Sequence, residues 1–65
     1  MSLSITDQAK VMKAGFRIFR VDPIRKQITE AKSPGGWGPH SNYKTKVELH
    51  CAWNKLMQED KNIAG

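Results

Sequence analysis

Nine cationic side chains fall between Lys10 and Lys46, with only two carboxylates among them. Lys10, Lys13, Arg17, Arg20, Arg25, Lys26, Lys32, Lys44 and Lys46 stand against Asp22 and Glu30, which leaves that stretch at +7. Elsewhere Lys55 and Lys61 face Asp7, Glu48, Glu59 and Asp60, a balance of −2, so the net +5 sits in the first two thirds of the chain. Such a field suits a polyanion, with nucleic acid first among partners. Arg17, Arg20, Arg25, Lys26 and Lys32 lie on or beside segments that read as a hairpin. If the solvent face of the sheet gathers them, they form a positive platform whose binding weakens with salt as counterions are released. Trp37 either plugs the edge of a small core or stands out to stack on a base or a partner. The competing reading is that the charge serves only solubility.

Bond-making chemistry has little to work with. His50 and Cys51 are adjacent on a helix, so their side chains diverge by about 100°. Cys51 reads as a small, partly buried apolar residue at the edge of a stripe, and His50 as a solvent-facing one. Glu59 and Asp60 fall at a helix end, and Asp22 precedes a proline, where a turn or cap role is the default. Gly35-Gly36-Trp37-Gly38 matches neither a P-loop nor a dinucleotide fingerprint. Structural zinc wants four ligands, and His40, His50 and Cys51 are the only soft candidates. No enzyme activity, metal, cofactor or small-molecule substrate is expected.

The elements that must position these residues follow from local signals. Ser4-Ile5-Thr6-Asp7 resembles a capping box, Ile5, Ala9 and Met12 recur at helical spacing, and Gly15 is a stop; a helix over about 5–13 is expected. Phe16–Val21 is the strongest strand and closes at Asp22-Pro23. Residues 22–32 read two ways. Asp22 as N-cap and Pro23 as first helical residue would start a helix with Ile24, Ile28 and Ala31 as its stripe. Alternatively, a turn at 22–26 precedes a strand over 27–32. The strand is preferred, because the first strand needs a partner for its backbone groups. A brief third strand fits near Gly36–Trp37 or Ser41–Tyr43. Thr45-Lys46-Val47-Glu48 is a capping box, with the Glu48 carboxylate expected at the Thr45 N–H. Leu49, Ala52, Trp53 and Leu56 then form an amphipathic stripe, so a helix should run from Lys46 to about Glu59.

Sixty-five residues make one domain, 1–65, with 1–4 and 60–65 expected to fray. A chain of this size hides about 60% of the surface its unfolded form exposes. The core should draw on Phe16, Ile18, Phe19, Val21, Ile28, Leu49, Ala52, Trp53 and Leu56, with a net stability of roughly 3–5 kcal/mol. Lone Cys51 excludes a disulfide within the chain and points to a reducing, cytoplasmic setting. No apolar run approaches the roughly 18 residues of a membrane span. Trp37, Tyr43, Trp53, Leu56 and Met57 exceed what so small a core covers easily, which keeps a homodimer open.

The order of strand, hairpin, Trp37-Gly38 turn and Tyr43-Lys44-Thr45-Lys46-Val47-Glu48 leading into Ala52-Trp53 resembles three-stranded-sheet-plus-helix DNA-binding domains. Plant AP2-type domains and the arm-binding N-terminal domains of some integrases have that layout. The resemblance spans about two thirds of the chain and departs from the layout at Asp22-Pro23 and in the added N-terminal segment. The chain is also similar to small uncharacterised bacterial or mobile-element proteins, a resemblance that implies no activity. The expectation is an α+β domain: a short N-terminal helix and a two- or three-stranded antiparallel sheet packed on a C-terminal helix. It would act as a nucleic-acid-binding accessory or regulatory domain using Arg17, Arg20, Arg25, Lys26, Lys32 and Trp37. The alternative is a small self-associating interaction module.

Overall fold

The structure, a computed structural model, describes residues 3–65. Its elements run α1 (Ile5–Lys13), β1 (Arg17–Asp22), β2 (Gln27–Ser33), β3 (Gly36–Asn42), α2 (Lys46–Met57) and β4 (Asn62–Ala64), an α+β domain. The Ser4 hydroxyl accepts from the Asp7 N–H at 3.2 Å and starts α1. Gly15 ends it at φ +96°. That conformation lets the Phe16 N–H reach the Val11 carbonyl and the Gly15 N–H reach that of Met12, a Schellman closure that glycine alone adopts cheaply. Buried Gln8 ties the helix down: its Oε1 accepts from the Gly35 N–H at 2.8 Å and its Nε2 donates to the Leu3 carbonyl at 3.0 Å. Leu3 and Ser4 are thus part of the capped start rather than frayed, while residues 1 and 2 lie outside the described residues.

The segment after β1 is a turn and a strand. Asp22 Oδ1 accepts from the N–H groups of Ile24 (3.0 Å) and Arg25 (3.1 Å). The same side-chain bonds would cap a helix, which is why the sequence is ambiguous here. The decision falls to β1, whose N–H and C=O groups find partners in an antiparallel β2, with Phe19 opposite Glu30 and Val21 opposite Ile28.

Three expectations about the later elements are corrected. β3 is one seven-residue strand that joins both short candidates. Pro39 is tolerated inside it because β3 is an edge strand. A register shift between Ile28 and Thr29, whose partners are Ser41 and Pro39, absorbs His40 as an extra residue. The C-terminal residues do not fray: Asn62–Ala64 pair parallel with Arg17–Phe19, so the sheet has four strands in the order β3-β2-β1-β4. Finally, α2 stops at Met57 rather than near Glu59. Asn62, itself buried, donates its Nδ2 to the Leu56 carbonyl at 2.9 Å and to Glu59 Oε2 at 2.6 Å, closing the helix end.

Alternation along the strands sorts the core into two layers. Phe19 and Ile28 point toward α2 and are fully buried with Leu49, flanked by Tyr43, Ala52, Trp53, Leu56 and Met57. Ile18 and Ala31 are buried on the other side of the sheet, the side that α1 and Trp37 close. There the Ile18 Cγ2 and the Trp37 ring crowd Gly65 so closely that a Cβ at Gly65 would collide with them. Val21, expected in the core, is 37% exposed, because β4 stops opposite Phe19 and leaves the end of β1 uncovered. Cys51, expected to be partly buried, is exposed.

Candidate nucleic-acid interface

The register distributes the expected site residues over three places. Arg17 and Lys32 share the α2 side of the sheet with Phe19 and Glu30. Arg20 and Trp37 are on the opposite side, since Arg20 pairs with Thr29 and Trp37 with Ala31. Arg25 and Lys26 belong to the β1–β2 turn and to neither face. A single basic sheet face is therefore not formed. Strand side chains alternate, and Arg17 and Arg20 are an odd number of residues apart.

Several of these groups are engaged within the chain. Arg17 Nε and Nη2 meet Glu30 Oε2 and Oε1 at 3.0 and 3.1 Å, and Lys32 Nζ is 3.3 Å from Glu30 Oε1. The Arg17 hydrogen bonds, aided by Lys32 and opposed by partial burial, hold the Glu30 carboxyl below its ordinary range. The same hydrogen bonds raise the Arg17 guanidinium further. The Arg20 guanidinium lies 4.2 Å over the Trp37 ring, and its Nε donates to the Gly65 carbonyl at 3.3 Å. That contact covers one face of the half-buried indole.

Lysines that the sequence does not single out complete a different constellation. The Tyr43 N–H donates to the Lys26 carbonyl at 2.8 Å, and Gln27 pairs with Asn42. The β1–β2 turn and the entry to α2 are thus held side by side at one end of the sheet, and Arg25, Lys26, Lys44 and Lys46 share that end. Asp22 and Glu48 are the carboxylates there. Asp22 is directed at backbone N–H groups, with Arg25 Nε at 4.0 Å. Glu48 Oε2 accepts from the Lys44 N–H at 3.4 Å, one residue before the expected Thr45, while the Glu48 N–H donates to the Thr45 hydroxyl at 3.2 Å. Among the described residues, Lys26, Lys44 and Lys46 make no ion pair. At the opposite end Lys10, Lys13, Arg17, Lys32, Lys55 and Lys61 are set against Asp7, Glu30, Glu59 and Asp60, the same net +2, but there Arg17 and Lys32 are paired with Glu30 and the charges are spread over α1, the sheet and the end of α2. Only the pairing of the two connections in space reveals the basic end.

Two further features were absent from the sequence reading. Through the β-bulge, His40 Nδ1 comes within 3.1 Å of Ser41 Oγ, which is 2.7 Å from the Tyr43 hydroxyl. This hydrogen-bond chain sits on β3, with His40 edge-on to Phe19 at 5.2 Å. A cavity of about 390 Å³ lies at the opposite edge, lined by Phe19, Arg20, Val21, Trp53, Ala64 and Gly65. Phe19 stands between the hydroxyl chain and the cavity, touching His40 on one side and lining the cavity on the other, so the two do not build one site. Among the described residues no group of three or more His, Cys, Asp or Glu could hold a metal ion, and no helix is long and apolar enough to cross a membrane.

Comparison of the chain with known protein families, with curated proteins and with solved structures finds no match.

Proposed function

We propose that this chain is a non-enzymatic nucleic-acid-binding accessory or regulatory domain that meets the phosphate backbone with the sheet end carrying Arg25, Lys26, Lys44 and Lys46. The observation that carries this reading is the Tyr43 N–H to Lys26 carbonyl bond, which holds two basic connections together. Four cations on a tethered end lose less freedom on meeting phosphates than four on independent loops. The N-terminus of α2 opens at the same end and adds its partial positive charge. Arg17 and Lys32, already shared with Glu30, and Arg20, stacked on Trp37, are assigned to stability rather than to contact.

Fluorescence anisotropy with a labelled duplex of about 16 base pairs tests this reading. Affinity should fall steeply between 50 and 200 mM salt, and Lys26→Glu combined with Lys44→Glu should weaken binding by about tenfold or more. Arg20→Gln and Lys32→Gln, in contrast, should stay within about twofold of the parent. Binding that ignores salt, or a charge-reversed double variant that binds like the parent, would overturn the assignment.

The self-associating alternative has one observation in its favour: Ile24 and Val47 are 90% and 73% exposed. Both lie at the same basic end. A two-fold contact there would place like charges opposite each other, which costs several kcal/mol. A polyanion fits that end better than a second copy.

A further inference from the structure

Resting on the reading above, we propose that the preferred ligand is duplex DNA and that Ile24 acts as a wedge, entering between base pairs from the minor groove and kinking the duplex. Ile24 is 90% exposed, the most exposed large apolar side chain among the described residues, and stands on the β1–β2 turn directly before Arg25 and Lys26. One exposed aliphatic residue is ordinary by itself. Its presentation here is not. Pro23 limits the backbone on one side, Asp22 Oδ1 accepts from both the Ile24 and Arg25 N–H groups, and Lys26 holds φ +53° on the other. The side chain is therefore carried on a turn whose conformation is set before any partner arrives.

A branched apolar tip with cations beside it is what groove insertion needs. The aliphatic group occupies the gap opened between two base pairs, and the adjacent cations hold the phosphates that the kink brings closer. Other polyanions fit less well. Single strands are bound chiefly by stacking on exposed aromatic rings, and the aromatic residue nearest this end, Tyr43, is half-buried with its hydroxyl 2.7 Å from Ser41 Oγ. A membrane surface calls for a broad apolar face, and this end offers three exposed aliphatic side chains, Val21, Ile24 and Val47, set among four cations.

The test uses a duplex of about 20 base pairs with a donor and an acceptor dye at its ends. One version has a central TA step, which is easily unstacked, and the other a central A-tract, which is stiff. The full chain at saturation should raise transfer efficiency on the TA duplex and bind it several-fold more tightly than the A-tract duplex. Ile24→Ala should abolish the rise and the sequence preference. It should also lower affinity by about three- to tenfold while leaving the salt slope unchanged, because no phosphate contact is removed. Thermal melting of the variant should match the parent, since Ile24 packs on little. Salt-dependent binding without bending, or bending that persists in Ile24→Ala, would overturn the wedge and leave the proposed function standing. Ile24-dependent binding to phosphatidylserine vesicles with no duplex bending would overturn it in favour of a membrane surface. Absence of any salt-dependent duplex binding would overturn the reading beneath it as well.

Discussion

Glu30 is the most heavily engaged acidic side chain, 12% exposed and shared between Arg17 and Lys32. Its folded carboxyl titrates below its ordinary value, chiefly through the Arg17 hydrogen bonds. A depressed acid stabilises the fold above its unfolded pKa and loses that contribution as pH falls through the folded one. Glu30→Gln should therefore cost about 1 kcal/mol or less near pH 7, since the Arg17 side chain is 52% exposed. The gap between the two proteins in urea denaturation should close as pH drops below about 4.3. Asn62 carries more. Its two hydrogen bonds end α2 and begin β4 from a buried position. Removing them takes two hydrogen bonds from the helix end and leaves the Leu56 carbonyl with only the 3.3 Å bond from the Glu59 N–H, so Asn62→Ala should lose about 1–3 kcal/mol, a large part of the roughly 3–5 kcal/mol such a domain holds. Asn62→Asp should lose more, because it takes away the donor and sets a second carboxylate beside Glu59. Thermal melting of both variants checks the order.

At the scale of elements, the β1–β2 turn joins stability and binding through one residue. Lys26 is the only described non-glycine residue with positive φ, at +53°, a conformation costing an L-residue about 1–2 kcal/mol. Lys26→Gly removes that cost and adds back some unfolded-state entropy. A net gain below about 1 kcal/mol is expected in urea titration, together with a salt slope shallower by about 0.9 as one phosphate contact disappears. A variant more stable yet weaker in binding would mark Lys26 as a ligand-facing residue held in strain. Stability and affinity falling together would instead mean that the lysine stem supports the turn.

For the molecule as a whole, extent and charge limit what it can hold. Its longest dimension is 33 Å, close to one turn of duplex at about 34 Å. Contact is therefore local, at one end, and the four cations there bound the electrostatic term. Four phosphate contacts give a log–log salt slope of about −3.6, or roughly a hundredfold loss of affinity between 50 and 200 mM. A slope near −9 would require most of the eleven basic residues to engage, which their division between the two ends of the sheet does not allow. Anisotropy across a salt series decides between these values.

Helix starts, the long amphipathic helix and the excess of charge were legible in the sequence, because each depends on composition or on residues within about four positions of one another. Ser4 with Asp7, Thr45 with Glu48, and Gly15 act through neighbours the chain cannot avoid. Tertiary structure alone decided the fate of 23–32, the continuity of β3 through Pro39, and the fourth strand at Asn62–Ala64. Each of these rests on backbone groups that find partners elsewhere in the chain, as Asn62 does opposite Arg17. It also decided which cations meet. The separation of Arg17 and Arg20 was already set by alternation along β1, whatever the register. The bond from Tyr43 to Lys26 brings together lysines that sequence distance kept apart, since charge is additive along a chain but a binding surface depends on where the folded backbone places it.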